Sequence, residues 1–174
     1  AASLSAIAGT HEHDDHASGV LQLARRHRIP VVTTWGTLAA IDVNRPEGLS
    51  IQWACGGEKL AMGELEILPY TVPHDAREPV QYVFSDGARR LGVLTDVGHV
   101  TPHICAVLSG CDALVLETNH DRGLLASGNY PPSLKQRIAG SYGHMDNETS
   151  ASLLASIEVS RLKHVIAAHL PEKN

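Results

Sequence analysis

Aromatic side chains are scarce in this chain: one Phe, four Tyr and two Trp among 174 residues. Any core must therefore come from Leu, Val, Ile and Ala, and a hydrophobic share of 43% supplies it. Cysteine is scarce as well. Cys55, Cys105 and Cys111 form no CxxC pair, which excludes a disulfide framework and a cysteine zinc knot and reads as the reduced thiols of a cytoplasmic protein. Long apolar runs are missing: none approaches the roughly 20 residues a membrane helix needs, and no signal-peptide pattern is seen. Positive charge is in the minority, 14 Lys and Arg against 19 Asp and Glu, for a net charge of −5. That excludes a general basic coat for nucleic acid, though not a local basic groove. The densest basic run, Arg25-Arg26-His27-Arg28, reads as a solvated helix face. No repeat, low-complexity tract or linker interrupts the chain, so a single domain over residues 1–174 is expected.

Histidine is what the chain has in excess, 11 in all. Its placement follows the expected secondary structure. Strands are expected at Leu4–Ala8, Val31–Thr34, Glu58–Ala61, Glu64–Val72, Val80–Ser85, Arg90–Thr95, Ala113–Glu117 and His164–Ala168. Helices are expected at Ser18–Arg28, Thr37–Ile41, Pro102–Leu108, Pro132–Ala139 and Asn147–Val159, the last capped by Asp146 or Asn147. Hairpin turns are expected at Met62-Gly63 and Asp86-Gly87. Strands alternating with helices, with hairpins between, indicate a mixed-sheet α/β layer structure.

The segment THEHDDH places His11, His13, Asp15 and His16 just past the first strand. His74, Asp96, His120 and His169 each lie at or just past the C-terminal end of another strand. A rigid sheet presents functional loops at such ends. His11, His13, His16, His74 and His169 with Asp15 and Asp96 make seven nitrogen and oxygen donors. They suit two ions: His11, His13 and His74 on one, Asp15, His16 and His169 on the other, and Asp96 bridging. Imidazole with carboxylate favours zinc, with manganese and iron as alternatives. His27, His99, His103 and His164 read as ordinary surface or capping residues.

THEHDDH, then VPHD at residues 72–75, LTDVG at 94–98 and AAHL at 167–170, resemble the successive metal motifs of the metallo-β-lactamase superfamily. ETNHD (117–121), YPPSLKQRI (130–138), GHMDN (143–147) and HLPEKN (169–174) resemble its YycJ (WalJ)-like branch, bacterial hydrolases akin to PhnP and ribonucleases Z and J. The resemblance implies an αββα four-layer sandwich. Only ten residues precede His11 and five follow His169, fewer than such proteins carry. The expectation is thus an internal portion of a longer chain, with a sandwich incomplete at both ends and an exposed sheet edge through which it could oligomerise.

The resemblance also implies chemistry. Two divalent ions lower the pKa of a bridging water, and the hydroxide attacks phosphorus or an acyl carbon. Asp15 orients that hydroxide. His144 is the first choice to protonate the leaving alkoxide and His120 the second, with His120 and Lys135 as substrate-binding residues and Arg137 as another phosphate-holding cation. Asn174 matches the branch but receives no role. The expected activity is a phosphodiesterase or nuclease acting on DNA, RNA or a small diester. A thiolesterase of the glyoxalase II kind and a non-catalytic metal-binding fragment are the competing readings.

Overall fold

The computed structural model describes residues 4–41 and 48–171, so Asn174 lies outside the described residues. The chain divides into two compact units, Ala1–Thr71 with Ala76–Tyr82, and Val72–Asp75 with Val83–Asn174.

In the first unit, β1 (Ile7–Ala8), β2 (Val31–Thr33) and β3 (Ile51–Trp53) form a parallel sheet in that order. β2 is central, and its Val31 and Val32 are wholly buried, as a strand covered on both faces requires. The first strand is shorter than expected, and Leu4 stays about half exposed. The helix expected at Ser18–Arg28 is α2 (Val20–His27), and a further turn, α1 (Asp14–Ala17), built from the histidine motif itself, precedes it. Gly19 stands between them as the N-cap of α2. Arg28 ends α2 in the left-handed conformation, and exposed Arg25, Arg26 and His27 sit in the last turn, where the helix dipole favours cations. α3 (Trp35–Ile41) begins where the Thr34 hydroxyl oxygen accepts from the Thr37 amide at 3.2 Å. β4 (Leu60–Met62) and β5 (Leu65–Thr71) form an antiparallel hairpin closed by Met62 opposite Leu65. Its turn is Gly63-Glu64, one residue later than expected. Gly63 has φ +62°, a conformation that costs glycine little. The Tyr82 hydroxyl donates to the Gly9 carbonyl at 2.7 Å and the Val80 amide to the Thr10 carbonyl at 3.0 Å. These bonds hold the backbone that leads into the histidine motif.

β6 (Val80–Ser85) runs into the second unit, where Val83–Ser85 pair antiparallel with β7 (Arg90–Leu94) across the expected Asp86-Gly87 turn. From β7 the order continues through β8 (Ala113–Glu117) to β9 (His164–Ala168), all parallel. α4 (Pro102–Leu108) connects β7 to β8. Gly92 lets it lie close, because a Cβ there would stand 2.7 Å from Leu108 and 2.8 Å from Leu114 side chains. α5 (Arg122–Ser127), α6 (Pro132–Ile138) and α7 (Asn147–Ser156) connect β8 to β9. The core is Leu94, Ile104, Leu108, Leu114, Leu116, Met145 and Leu153. β9 differs from the buried strand its composition suggests: His164–Ala167 are exposed. Cys55, Cys105 and Cys111 are free thiols. Among the described residues, no helix is long and apolar enough to cross a membrane.

α7 starts on Asp146, whose carboxylate accepts from the Glu148 and Thr149 amides, each at 3.0 Å, and from Arg122 at 2.9 Å. Burial alone would raise the pKa of this carboxyl. The hydrogen bonds from Thr149 and Arg122 outweigh it and hold the value down to about 2. A depressed carboxyl stabilises the fold above its unfolded pKa of 3.8, and that contribution is lost as pH falls toward about 2. Asp146→Ala is expected to lose about 1–2 kcal/mol in urea unfolding at pH 7, the usual cost of a deleted N-cap. Parent and variant should converge in stability between pH 4 and about 2.

Candidate metal centre

The site in the second unit follows from strand register. Leu94 pairs with Leu116, Leu116 with Ala167, and Glu117 with Ala168. The three parallel strands therefore end together. Asp96 falls two residues past β7, Glu117 ends β8, and His169 follows β9 directly. Asp96 and His169 both take left-handed backbone, φ +52° and +57°, a region that non-glycine residues seldom occupy. These turns aim the two side chains at each other: His169 Nδ1 lies 3.4 Å from Asp96 Oδ1. His144 joins from the loop before α7, and donor atoms of Asp96, Glu117, His144 and His169 all lie within 4.8 Å of one another.

Glu117 organises this group. It is completely buried. Its Oε1 accepts from His144 Nδ1 at 2.9 Å and His169 Nδ1 at 2.8 Å. Its Oε2 accepts from the Val97 and Met145 amides at 3.0 and 3.1 Å. Four donors fill the four lone-pair directions of a carboxylate, so Glu117 orients its neighbours. Burial alone would raise its pKa, but the bonds from His144 and His169 prevail and hold it below the usual carboxylate range. Both imidazoles thereby give Nδ1–H to Glu117 and turn Nε2 outward.

His74 is buried, and its Nδ1 lies 3.1 Å from the Gly143 carbonyl. A carbonyl only accepts, so Nδ1 carries the proton and Nε2 is the basic nitrogen. That Nε2 lies 3.9 Å from Asp96 Oδ1 and 3.5 Å from Asp75 Oδ1. Desolvation lowers the His74 pKa despite Asp96, which leaves the neutral form a metal needs. Arg137 braces this segment by donating to Asp75 from Nε at 2.6 Å and from its terminal nitrogen at 3.2 Å. His74 thus offers a neutral Nε2 of the kind a divalent ion takes, and Asp96 and His169 belong to a group of donors that could hold such an ion.

In the first unit the histidine motif is equally compact. His11 Nε2 lies 3.0 Å from His13 Nδ1, and the His11 and His16 ring centroids are 4.3 Å apart. Thr10 Oγ1 reaches His11 Nδ1 at 3.1 Å and His16 Nδ1 at 3.5 Å. Asp15 Oδ2 stands 3.3 Å from His16 Nε2. Glu12, between the ligand candidates, accepts the Arg77 amide at 2.6 Å and pins the turn.

His120 is buried, with Nδ1 3.3 Å from Asn119 Oδ1, and burial lowers its pKa. Lys135 Nζ donates to the Ala126 carbonyl at 2.6 Å, which ties α6 to the end of α5. Sequence reasoning missed Glu117. The signal was an acid closing an otherwise apolar strand, ALVLE.

A family model described as the β-lactamase superfamily domain matches residues 1–169. The chain belongs to that superfamily. Exodeoxyribonuclease YycJ of Bacillus anthracis is 37% identical over 174 residues, and the match covers 98% of this chain. The chain spans 66% of that relative's length, just under two thirds. Among solved structures, the metallo-β-lactamase fold protein YhfI from Bacillus subtilis superposes with a TM-score of 0.70 at 17% identity, covering 98% of this chain and 67% of that one. Zn2+-bound PqqB from Methylobacterium extorquens gives 0.69 at 21% identity, covering 97% and 63%. The fold is thus the metallo-β-lactamase α/β fold expected from the motifs, a fold that implies divalent metal ions.

Proposed function

We propose that this chain is a metal-dependent phosphodiesterase of the cytoplasm that cleaves DNA at its ends. The observation that carries the reading is the meeting of Asp96, Glu117, His144 and His169 at one edge of the β7–β9 sheet. The 37% identity to a protein named an exodeoxyribonuclease directs it to DNA. The residues assigned to hold metal are His11, His13, Asp15, His16, His74, Asp96 and His169. Zinc is the first choice for a set so rich in imidazole, with manganese or iron as replacements. Two such ions, when bound, supply a hydroxide near neutral pH and neutralise charge on the phosphate oxygens. Asp15 orients the attacking oxygen. His144 gives a proton from Nε2 to the leaving 3′- or 5′-oxygen, while Glu117, on its Nδ1, stabilises the cationic ring before transfer. His120 and Lys135 are assigned to the DNA strand, and the exposed β9 edge to self-association.

The protein loaded with zinc or manganese should release nucleotides from end-labelled linear DNA and turn over bis-p-nitrophenyl phosphate. Thioester cleavage without either activity would replace this reading with an acyl hydrolase. Metal binding without any turnover would make the chain a binding fragment. Asp15→Asn is expected to lower the DNA rate by about 10²–10⁴-fold, the usual worth of positioned acid–base groups. Elemental analysis should find most of the metal retained. Equal loss of metal and rate would give Asp15 a ligating role alone.

A further inference from the structure

The chain has two tryptophans, and they stand together on the surface. Trp35 is 65% exposed and Trp53 43% exposed. Their ring centroids are 5.5 Å apart with planes inclined by 54°. A chain this poor in aromatics has little reason to leave its two largest rings in water, and exposed apolar patches mark interaction sites. Their position is set by the first sheet. Trp53 ends β3 in register with Thr33, and Trp35 lies two residues past that same Thr33. Both rings therefore sit at the C-terminal edge of parallel strands β2 and β3. The histidine motif leaves the C-terminal end of β1 at this same edge. Two strand spacings separate β1 from β3, about 10 Å.

The ground between is continuous. Glu12 of the motif accepts the Arg77 amide at 2.6 Å. Glu78, next along, accepts the Gly36 amide beside Trp35 through its carboxylate. Gly36 has no room for a side chain, since a Cβ would stand 2.5 Å from Glu78 Cβ and 3.4 Å from Arg77 Cγ. The exposed Arg77 side chain thus packs along the first turn of α3, between the histidine motif and the tryptophan pair. Glu12 and Glu78 each commit an oxygen to a backbone amide, while Arg77 carries its charge at the surface.

We propose that Trp35 and Trp53 form a stacking platform for the unpaired bases of single-stranded DNA, with Arg77 on the intervening phosphate. This rests on the reading of the chain as a DNA phosphodiesterase. Stacking on an open ring face needs a base out of its duplex, so the occupant is a single strand at a DNA end. The platform accepts any base, because every base has a π face. It confers affinity without sequence preference.

The test uses the full chain and oligothymidylate. Without metal, oligothymidylate should quench tryptophan fluorescence in the parent. A fluorescein-labelled strand should bind Trp35→Ala and Trp53→Ala on the order of tenfold more weakly, each relative to the parent. Trp35→Phe and Trp53→Phe should recover most of the affinity. A strand of abasic sites should bind parent and alanine variants alike. With metal, the alanine variants should raise KM for single-stranded DNA and leave kcat unchanged. Unaltered DNA affinity in both alanine variants, with unchanged melting temperatures, overturns the platform. So does a change from dimer to monomer in sedimentation with no change in DNA binding, which would assign the rings to a second copy. The metal-free binding arm reads the platform even where no DNA is cleaved, so its failure and the failure of the nuclease reading are separate results.

Discussion

Glu117→Gln is expected to lower metal affinity or rate by about 10–100-fold, the usual effect of removing a carboxylate that orients ligating histidines. Glutamine is nearly isosteric but offers one acceptor oxygen in place of two. If that oxygen stays with the Val97 and Met145 amides, the new NH2 faces the Nδ1–H groups of His144 and His169, donor against donor. If it turns the other way, the two buried amides lose their acceptor. Either way two donors are stranded where no water reaches, since Glu117 is completely buried. Breaking a buried charged network of this kind costs about 3–5 kcal/mol. For a chain of this size each kcal/mol is about 2–4 °C of melting temperature. Metal content by elemental analysis, turnover of bis-p-nitrophenyl phosphate and a melting curve check it. A variant that melts and turns over like the parent would leave Glu117 without an orienting role.

The second large effect is expected from Gly143→Ala. A Cβ at Gly143 would stand 2.1 Å from the Arg137 carbonyl oxygen and 2.2 Å from that of Ile138. These are backbone atoms at the end of α6, which cannot swing away as a side chain could. The loop must move, and two site residues move with it. The His144 amide donates to the Ile138 carbonyl at 2.8 Å, and His74 donates to the Gly143 carbonyl itself. Overpacking of this degree costs about 3 kcal/mol. A displacement near 1 Å at a catalytic group costs on the order of 10²-fold in rate. Gly98 abuts the same loop, where a Cβ would meet the Ser141 carbonyl oxygen at 2.2 Å. Gly19→Ala is the control, because nothing lies within 4 Å of its Cβ position and its φ of −99° suits alanine. Its melting temperature should match the parent's, while that of Gly143→Ala falls by about 6–12 °C. Equal melting and equal rates in Gly143→Ala would show that the loop adapts freely.

The sequence made much of this site legible, because ligand chemistry is conspicuous in one dimension. Histidines and aspartates at strand ends stand out against apolar strands. The register of β7, β8 and β9 then converts three such ends into one edge. What stayed hidden was the support. Glu117 reads as the polar end of a strand, and only the fold reveals the imidazoles and amides that reach it. β3 was missed because three residues, Ile51–Trp53, are too few to show an alternating pattern. α5 was missed because Arg122–Ser127 is short and carries Gly123 near its start, which local propensity counts against a helix. α1 was missed because Asp14–Ala17 looked like a turn of ligands and forms helix as well. In each case a few residues take a structure that neighbours enforce and local preference alone does not specify.

The left-handed backbone at Asp96 and His169 sets a limit on engineering. Glycine adopts that geometry freely and asparagine more readily than histidine. A library ranked only by heat tolerance would therefore reward relaxation at these two places. Its hardiest members could survive boiling having surrendered the side chains proposed above to hold metal, so selection for robustness must carry a functional screen beside it.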